Sequence, residues 1–218
     1  MSSSEAAHSA HNPYLAHHFD TMEQQDHAAR LGMWLFLATE VLLFGALFLG
    51  YTVYRWMYPQ TYQECANLLS IPMGATNTVV LITSSFTAAW AYHSIKVNQI
   101  KKGLALLAIT ILFACAFLVI KYFEYKHKFD VGELPGKWYS YEGLQAPGAN
   151  LFFAVYFLAT GLHGLHVVIG MTVLSIIGYR TIKGRYHSGN YVGVELGVLY
   201  WHLVDLVWIF LFPLLYLI

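Results

Sequence analysis

Charged side chains are scarce in this sequence, and neither sign prevails. Asp, Glu, Lys and Arg make up 11% of the 218 residues, with 12 acidic and 12 basic side chains. The basic residues are scattered, so no nucleic-acid partner is expected. Only two cysteines are present, Cys65 and Cys115, and they lie too far apart to predict a disulfide framework or a thiolate metal site. We expect Cys115, which lies in an apolar run, to be a buried structural residue.

The beginning of the chain lacks a basic segment followed by a continuous apolar run, so a secretory signal peptide is not expected. We predict that residues 1–30 form a solvated, His-rich tail. The spacing of its histidines is irregular and has no apolar frame, which favours a flexible tail over a metal-binding tract. These histidines are His8, His11, His17, His18 and His27.

Apolar residues are abundant, at 57% of the chain with a mean hydropathy of +0.50, which is more than one soluble core of this size holds. Five stretches are long enough to cross about 30 Å of hydrocarbon as helices. We therefore predict an all-α fold, a polytopic membrane helix bundle with about five transmembrane helices formed by residues 31–218. The second stretch is the weakest, because hydroxyl side chains dilute it, and we expect it to face protein. The stretches are residues 31–54, 77–92, 103–122, 151–179 and 196–218.

Basic residues near the ends of these stretches predict a cytoplasmic N-terminus and a periplasmic C-terminus. With this orientation seven basic residues lie inside, namely Arg30, Lys96, Lys101, Lys102, Arg180, Lys183 and Arg185. Five lie outside, namely Arg55, Lys121, Lys126, Lys128 and Lys137. No internal repeat is visible, which argues against an inverted-repeat transporter.

Glu40 lies near the middle of the first predicted span, with no basic residue within two helical turns. A charged carboxylate at this depth costs at least a few kcal/mol. We therefore expect Glu40 to be protonated or to face a polar pocket shared with another helix. Two interpretations remain open, a neutral acid bonded across a helix interface and a proton-handling group.

Two histidines in the fourth predicted span, His163 and His166, are three residues apart and share one helical face. A metal or haem site would need ligands from a second helix, and His202, with Asp205 one turn later, is the comparable candidate. We favour a structural network of His, Glu and Asp between packed helices over a metal site.

Other residues near these helices have simpler interpretations. Gly161 and Gly164 are expected to let a neighbouring helix approach closely. Lys121 and Glu124 have the spacing of a local ion pair, and Glu195 is expected to interact with the dipole of the fifth predicted helix. No nucleophile with an adjacent base and no phosphate-binding glycine loop is apparent, so no isolated catalytic activity is predicted.

Four segments of this sequence resemble, in the same order, motifs of haem-copper respiratory oxidase subunit III. They are GMWLFLATEVLLF (residues 32–44), FEY (123–125), ATGLHGLHVVIG (159–170) and YWHLVDLVWIFLF (200–212). The last two are highly specific, and the resemblance covers residues 31–218. Seven helices are common in that family, and this chain is similar to the last five, as in short bacterial forms.

The resemblance implies a subunit of a proton-translocating oxidase that carries no catalytic centre of its own. Haem and copper are expected in partner subunits, with direct packing on subunit I beside others such as subunit II. Phospholipids are expected in a helical cleft, and the implied role is support of proton uptake and turnover stability. The implied location is the bacterial inner membrane, and membership of a respiratory supercomplex stays open.

The resemblance also implies roles for particular residues. Glu40 matches the buried acid that reacts with dicyclohexylcarbodiimide in the family. Lys121 departs from the pattern, since the family often has Gln there. The remaining matching positions are interpreted as an interhelical polar network and packing framework, and they are Glu124, His163, His166, Glu195, Tyr200, Trp201, His202, Asp205 and Trp208.

The context of Glu40 favours the aa3-type cytochrome c oxidase branch of this family. The alternative within the same superfamily is subunit III of a quinol oxidase. An alternative of another class is a haem b-bearing membrane anchor, with His163 or His166 opposite His202. A proton-coupled transporter built around Glu40 is disfavoured, because no broken helix or repeat is apparent.

Overall fold

The computed structural model describes residues 14–217, and this part of the chain forms six α-helices and no strand. A short 3₁₀ turn, Gly136–Trp138, lies in the loop between the fourth and fifth helices. His8 and His11 of the predicted tail lie outside the described residues. The helices are α1 (Met22–Met57), α2 (Pro59–Asn67), α3 (Ile71–Lys96), α4 (Ile100–Val131), α5 (Ala149–Ile182) and α6 (Val192–Tyr216).

Four helices, α1, α4, α5 and α6, are each long and apolar enough to cross a membrane. The short helix α2 and the following α3 reach that threshold only as a pair, and their axes differ by 77° at the break. The bundle therefore has four or five membrane-spanning helices, which confirms the predicted polytopic helical fold. The bent pair corresponds to the weakest of the five predicted spans.

Helix α1 begins at Met22, before the predicted start of the first span. The Thr21 side chain accepts a hydrogen bond of 3.1 Å from the Gln24 backbone N–H, which caps the helix. Glu23 lies in the first turn, where a carboxylate is favourable. Residues 22–30 of the predicted tail are therefore helical and extend α1 beyond its apolar stretch.

Helix α3 is joined to α4 and α6 through its hydroxyl side chains. The hydroxyl oxygens of Thr87 and Thr110 lie 2.8 Å apart across the contact with α4. On the other side, the Trp201 indole donates a 3.1 Å hydrogen bond to Ser84 Oγ. One face of α3 thus packs on protein as expected, while its opposite face stays exposed at residues such as Phe86.

The interior lies where α3, α4, α5 and α6 pack together, and α1 contacts α5 and α6 from the side. Gly170 of α5 lies against the Trp201 ring, and a Cβ at this position would come within 2.7 Å of Trp201 Cε3. The missing side chain therefore lets the indole fill the interface. The largest fully buried residues include Trp201, Trp208, Tyr156, Phe117 and Phe152.

Two small residues have other surroundings within residues 14–217 than the sequence suggested. A Cβ at Gly164 would meet no atom within 4 Å, and one at Gly161 would meet only the Tyr125 hydroxyl at 3.8 Å, so no helix of this part of the chain packs closely there. The reason is that Gly161 lies on the exposed face of α5 and Gly164 at its edge. Similarly, Cys115 is exposed on α4, whereas Cys65 of α2 is buried.

Candidate functional site

Glu40 of α1 contacts His166 of α5 across the helix interface. The Glu40 Oε2 atom lies 2.8 Å from His166 Nε2, and the other ring nitrogen, Nδ1, lies 2.8 Å from the Leu162 carbonyl oxygen. Both groups are largely buried, with side-chain exposures of 14% for Glu40 and 10% for His166. Glu40 therefore has a polar partner on another helix, one of the two situations expected from the sequence.

The hydrogen-bond partners limit which atoms of Glu40 and His166 can carry a proton. A carbonyl oxygen only accepts, so His166 Nδ1 carries a proton. One further proton lies either on the carboxyl group, which gives two neutral side chains, or on Nε2, which gives an ion pair. Without that proton, two acceptors would face each other at 2.8 Å. Both protonated forms carry no net charge, so either form is compatible with burial between α1 and α5.

Lys121 and Glu124 of α4 form a buried ion pair, with Nζ 3.0 Å from Oε2, as their spacing predicts. The ammonium also donates to the hydroxyls of Tyr156, at 3.2 Å, and Tyr216, at 2.9 Å. Both tyrosines donate in turn to Glu124 Oε1, at 2.9 and 2.5 Å. Three ammonium protons and both carboxylate oxygens thus have partners, and the network joins α4, α5 and α6.

Sequence reasoning missed the two tyrosines of this network. Tyr156 and Tyr216 lie on other helices, and nothing in a single tyrosine indicates a partner so far along the chain. It also missed a second buried ion pair, in which Lys128 Nζ lies 2.6 Å from Glu133 Oε2. The charge of Lys128 was a usable signal, but the sequence does not show that its side chain faces inward.

His163 and His166 do not share a partner. The His163 ring is fully buried, with its centroid 5.4 Å from that of Phe117 and 5.2 Å from that of Trp208. Neither of its nitrogens has a hydrogen-bond partner among residues 14–217. In the same part of the chain, no three His, Cys, Asp or Glu side chains are grouped to hold a metal ion.

Polar side chains of α6 face α3. Ser85 Oγ lies 2.6 Å from His202 Nδ1, and the Trp208 indole donates a 3.1 Å hydrogen bond to Thr78 Oγ1. Asp205 is 2% exposed, and neither of its carboxyl oxygens is hydrogen-bonded in the part of the chain that the structure describes. Two of these predicted site residues thus join helices, while Asp205 lacks a bond.

Two further predicted residues join α6 to α1 and α5. Glu195, in the first turn of α6, forms a two-fold contact with Arg30, at 3.1 Å to Nε and 3.0 Å to Nη2. This ion pair adds to the interaction with the helix dipole that was expected. The Tyr200 hydroxyl donates to the His166 carbonyl oxygen at 3.4 Å.

Two of the grooves on the surface of the bundle lie beside predicted site residues. An apolar groove of about 500 Å³ lies between α1, α5 and α6, with Phe36 and Ile176 in its walls and Arg180 near one end. A groove of about 400 Å³ lies between α3 and α6 and contains His202 and Asp205.

The fold and these contacts define a multi-pass membrane protein whose helices are joined by buried ion pairs and hydrogen bonds. The family described as Cytochrome c oxidase subunit III matches residues 9–218, and the chain belongs to this family. Its members are subunits of a membrane oxidoreductase complex.

Relatives of this chain carry the same description. The protein named Cytochrome c oxidase subunit 3 from Prototheca wickerhamii is 30% identical over 214 residues, which cover 93% of this chain and 73% of the relative. Those from Loxodonta africana and Coturnix japonica are 32% and 30% identical, with the same shares covered. The similarity thus extends over nearly the whole chain.

Proposed function

We propose that this chain is the non-redox subunit III of a bacterial aa3-type cytochrome c oxidase. It packs directly on subunit I, beside others such as subunit II, and supports proton uptake and turnover stability during oxygen reduction. The observation that carries the non-redox role is His166, because both of its nitrogens face oxygen atoms of this chain and leave none for iron or copper. Haem and copper then belong to the partner subunits.

The polar residues of the family motifs act in this proposal as links between helices. Glu124 links α4 to α5 and α6, Glu195 links α6 to α1, and His202 links α6 to α3. His163 fills space between aromatic rings. Together they hold the bundle in the shape that the neighbouring subunits bind. Three aromatic residues of α6 add further hydrogen bonds to neighbouring helices, namely Tyr200, Trp201 and Trp208.

The groove between α1, α5 and α6 supports the proposal that the chain binds phospholipid. Its walls are apolar, which suits acyl chains, and the Arg180 guanidinium suits a lipid phosphate because it can donate two hydrogen bonds. Arg180 lies in the last turn of α5, close to the expected level of the headgroups.

We place the protein in the bacterial inner membrane, with a cytoplasmic N-terminus and a periplasmic C-terminus. Burial of two basic side chains supports this orientation, because Lys121 and Lys128 are paired inside the bundle. Of the five basic residues on the outer side, this leaves Arg55, Lys126 and Lys137 exposed. If Lys121 and Lys128 are not counted, the excess of basic residues at the cytoplasmic ends of the spans over those at the periplasmic ends becomes larger.

Purification of the intact complex through this chain in mild detergent tests the proposed function. We expect oxidase subunits I and II to co-elute with haem a and copper, and the preparation to oxidise cytochrome c. Oxidation of quinol instead would identify the alternative, a quinol oxidase. The two free nitrogens of His163 favour the other alternative, a haem b anchor, which predicts a Soret band on the isolated chain that His202→Ala abolishes. That band would overturn the non-redox role.

Glu40→Gln is expected to abolish labelling of the chain by dicyclohexylcarbodiimide while leaving assembly and haem content intact. The reagent adds a protonated carboxyl group across its N=C=N unit, and the neutral form of the pair supplies such a group inside the apolar bundle. A Gln amide can still donate to His166 Nε2, so the helix contact is retained. Labelled peptides identified by mass spectrometry provide the measurement.

Glu64→Gln is the matched control for this prediction. Glu64 is exposed on α2 and lies outside the apolar interior of the bundle, so its replacement leaves the labelling unchanged. Undiminished labelling of the α1 peptide in Glu40→Gln would show that Glu40 is not the reactive acid.

A further inference from the structure

The apolar groove between α1, α5 and α6 borders a polar pocket at the end of the bundle where α1 begins and α5 ends. The pocket has a volume of about 170 Å³ and lies between the first turns of α1 and the loop that joins α5 to α6. Tyr186, Gly193 and Leu196 line both the groove and the pocket. The two spaces therefore form one surface feature with an apolar part and a polar part.

One side of α1 lines this whole feature. Asp26 and Ala29 line the pocket, and Met33 and Phe36 line the groove. The four residues follow one another at spacings of three, four and three, which places them on one helical face. A ligand that follows this face passes from an apolar surface to a carboxylate.

The charged residues of this feature lie at the level of the lipid headgroups. Asp26 precedes Glu40 on α1 by about four helical turns, and Arg180 follows His166 on α5 by about the same distance. Glu40 and His166 contact each other at 2.8 Å. Asp26 and Arg180 thus both lie about 21 Å from that contact, and half of a bilayer with its headgroups is about 20–22 Å thick.

Three charged side chains here have no ion-pair partner among residues 14–217. They are Asp26 and Arg185 of the pocket and Arg180 of the groove. The guanidinium closest to Asp26 along α1 is that of Arg30, and it donates to both carboxylate oxygens of Glu195. Two positive charges and one negative charge are therefore left to bind a ligand.

The amide side chains of the pocket are already bonded within the chain. The Gln25 side-chain oxygen accepts a 2.8 Å hydrogen bond from the Ala16 backbone N–H. The Asn190 amide donates to the Arg185 carbonyl oxygen at 2.9 Å, and the Arg185 N–H donates to the Arg180 carbonyl oxygen at 3.0 Å. These bonds hold the loop against the end of α5, so both arginines are kept beside the groove.

We propose that the groove and the pocket together bind a phospholipid whose headgroup carries a primary ammonium group. Its acyl chains lie along the apolar groove, its phosphate binds Arg180 and Arg185, and its ammonium group binds Asp26. The inference rests on the proposed function, which includes phospholipid binding, and it adds the chemical class of the headgroup.

The carboxylate of Asp26 is what selects the headgroup. Guanidinium groups bind the phosphate of any phospholipid, so the two arginines do not distinguish one headgroup from another. A glycerol headgroup brings a negative phosphate close to Asp26 without a positive charge between them, which is unfavourable. An ethanolamine headgroup supplies that charge and hydrogen-bond donors for the carboxylate.

The test uses two photoreactive lipids, a phosphatidylethanolamine and a phosphatidylglycerol with the same diazirine-bearing acyl chain, added to the purified intact complex. Peptide mapping after illumination compares the groove wall, residues 169–177 of α5, with the exposed face of α4 at Leu112 and Val119. Relative to the α4 face, we expect about two- to fivefold more labelling of the groove by the ethanolamine lipid, the effect of one exposed charge interaction.

Three variants assign this preference to its charges. Asp26→Asn is expected to make labelling of the groove by the two lipids equal. Glu23→Gln is the matched control, because Glu23 is exposed in the same turns of α1 and does not line the pocket, and it should keep the preference. Arg180→Gln should lower labelling by both lipids alike, since both carry a phosphate. Unchanged haem content shows that each variant complex is assembled.

Equal labelling of the groove by the two lipids in the wild type, or a preference for the glycerol lipid, would overturn the proposed headgroup. A preference for ethanolamine that persists in Asp26→Asn would overturn the role of Asp26. In these cases the proposed phospholipid binding stands as long as the groove is labelled more than the α4 face. If neither lipid labels the groove more than that face, the phospholipid binding in the proposed function is itself contradicted.

Discussion

Lys121→Met is expected to destabilise the folded chain by about 3–5 kcal/mol, because it leaves a buried carboxylate without its counter-ion. Met retains most of the apolar length of the lysine side chain, so the change removes mainly the ammonium group. The hydroxyls of Tyr156 and Tyr216 still donate to Glu124 Oε1, but Oε2 loses its 3.0 Å partner. Thermal unfolding of the purified complex measures the effect, and dissociation of this chain from the complex is the signal.

Two control variants separate the ion pair from a general effect of the mutation. Lys126→Met removes an exposed charge of the same helix and is expected to change stability by less than about 1 kcal/mol. Lys121→Met combined with Glu124→Gln removes both charges and should recover most of the loss. If the double variant is no more stable than Lys121→Met, the uncompensated carboxylate is not the cause.

The large expected effect follows from how the buried face of α4 is built. Phe117, Lys121, Glu124 and Lys128 follow one another at spacings of four, three and four residues, and all are buried. This is the spacing of an inward stripe on a helix. Three of the four residues are ionisable, and a pattern of charges at helical spacing is usually a solvated face. Only the Lys121–Glu124 spacing was recognised in the sequence, and the partners of these two residues on α5 and α6 show that the stripe faces inward.

The fold class could be predicted from the sequence because lipid demands long apolar stretches. The bounds of the helices could not be predicted. Hydropathy identifies the part of a helix that crosses hydrocarbon, but it does not show where the backbone hydrogen bonding of that helix begins and ends. Helix α1 gains residues 22–30 from a Thr21 cap, and α4 continues beyond residue 122 to Val131 through polar turns that contain Glu124 and the buried Lys128. These extensions carry Arg30, Glu124 and Lys128, so the misplaced bounds also concealed contacts of the site.

Partners at the site were harder to predict than the residues that need them. The missing local counter-ion of Glu40 indicated that it needs a partner, but His166 lies 126 residues away, and only helix packing brings the two together. His163, one turn from His166, has the same local pattern and faces aromatic rings instead. A three-residue spacing thus predicts a shared side of the helix and not a shared environment.

Gly170→Ala is expected to destabilise the chain by about 1–3 kcal/mol through overpacking of the α5–α6 interface. The added Cβ would lie 2.7 Å from Cε3 and 2.9 Å from Cζ3 of Trp201. That indole is fully buried, and its N–H is bonded to Ser84, so it cannot move aside without losing packing and a hydrogen bond. A lower unfolding temperature and weaker retention in the complex are the expected results.

Gly164→Ala is the matched variant on the same helix, and it is expected to leave stability unchanged or raise it by up to about 1 kcal/mol. Its Cβ would meet no atom within 4 Å, and Ala is the better helix former. Trp201→Phe combined with Gly170→Ala should recover part of the loss if the indole is the obstacle. The reverse order of stabilities, with Gly164→Ala the more damaging change, would show that a partner packs against Gly164 in the assembled complex.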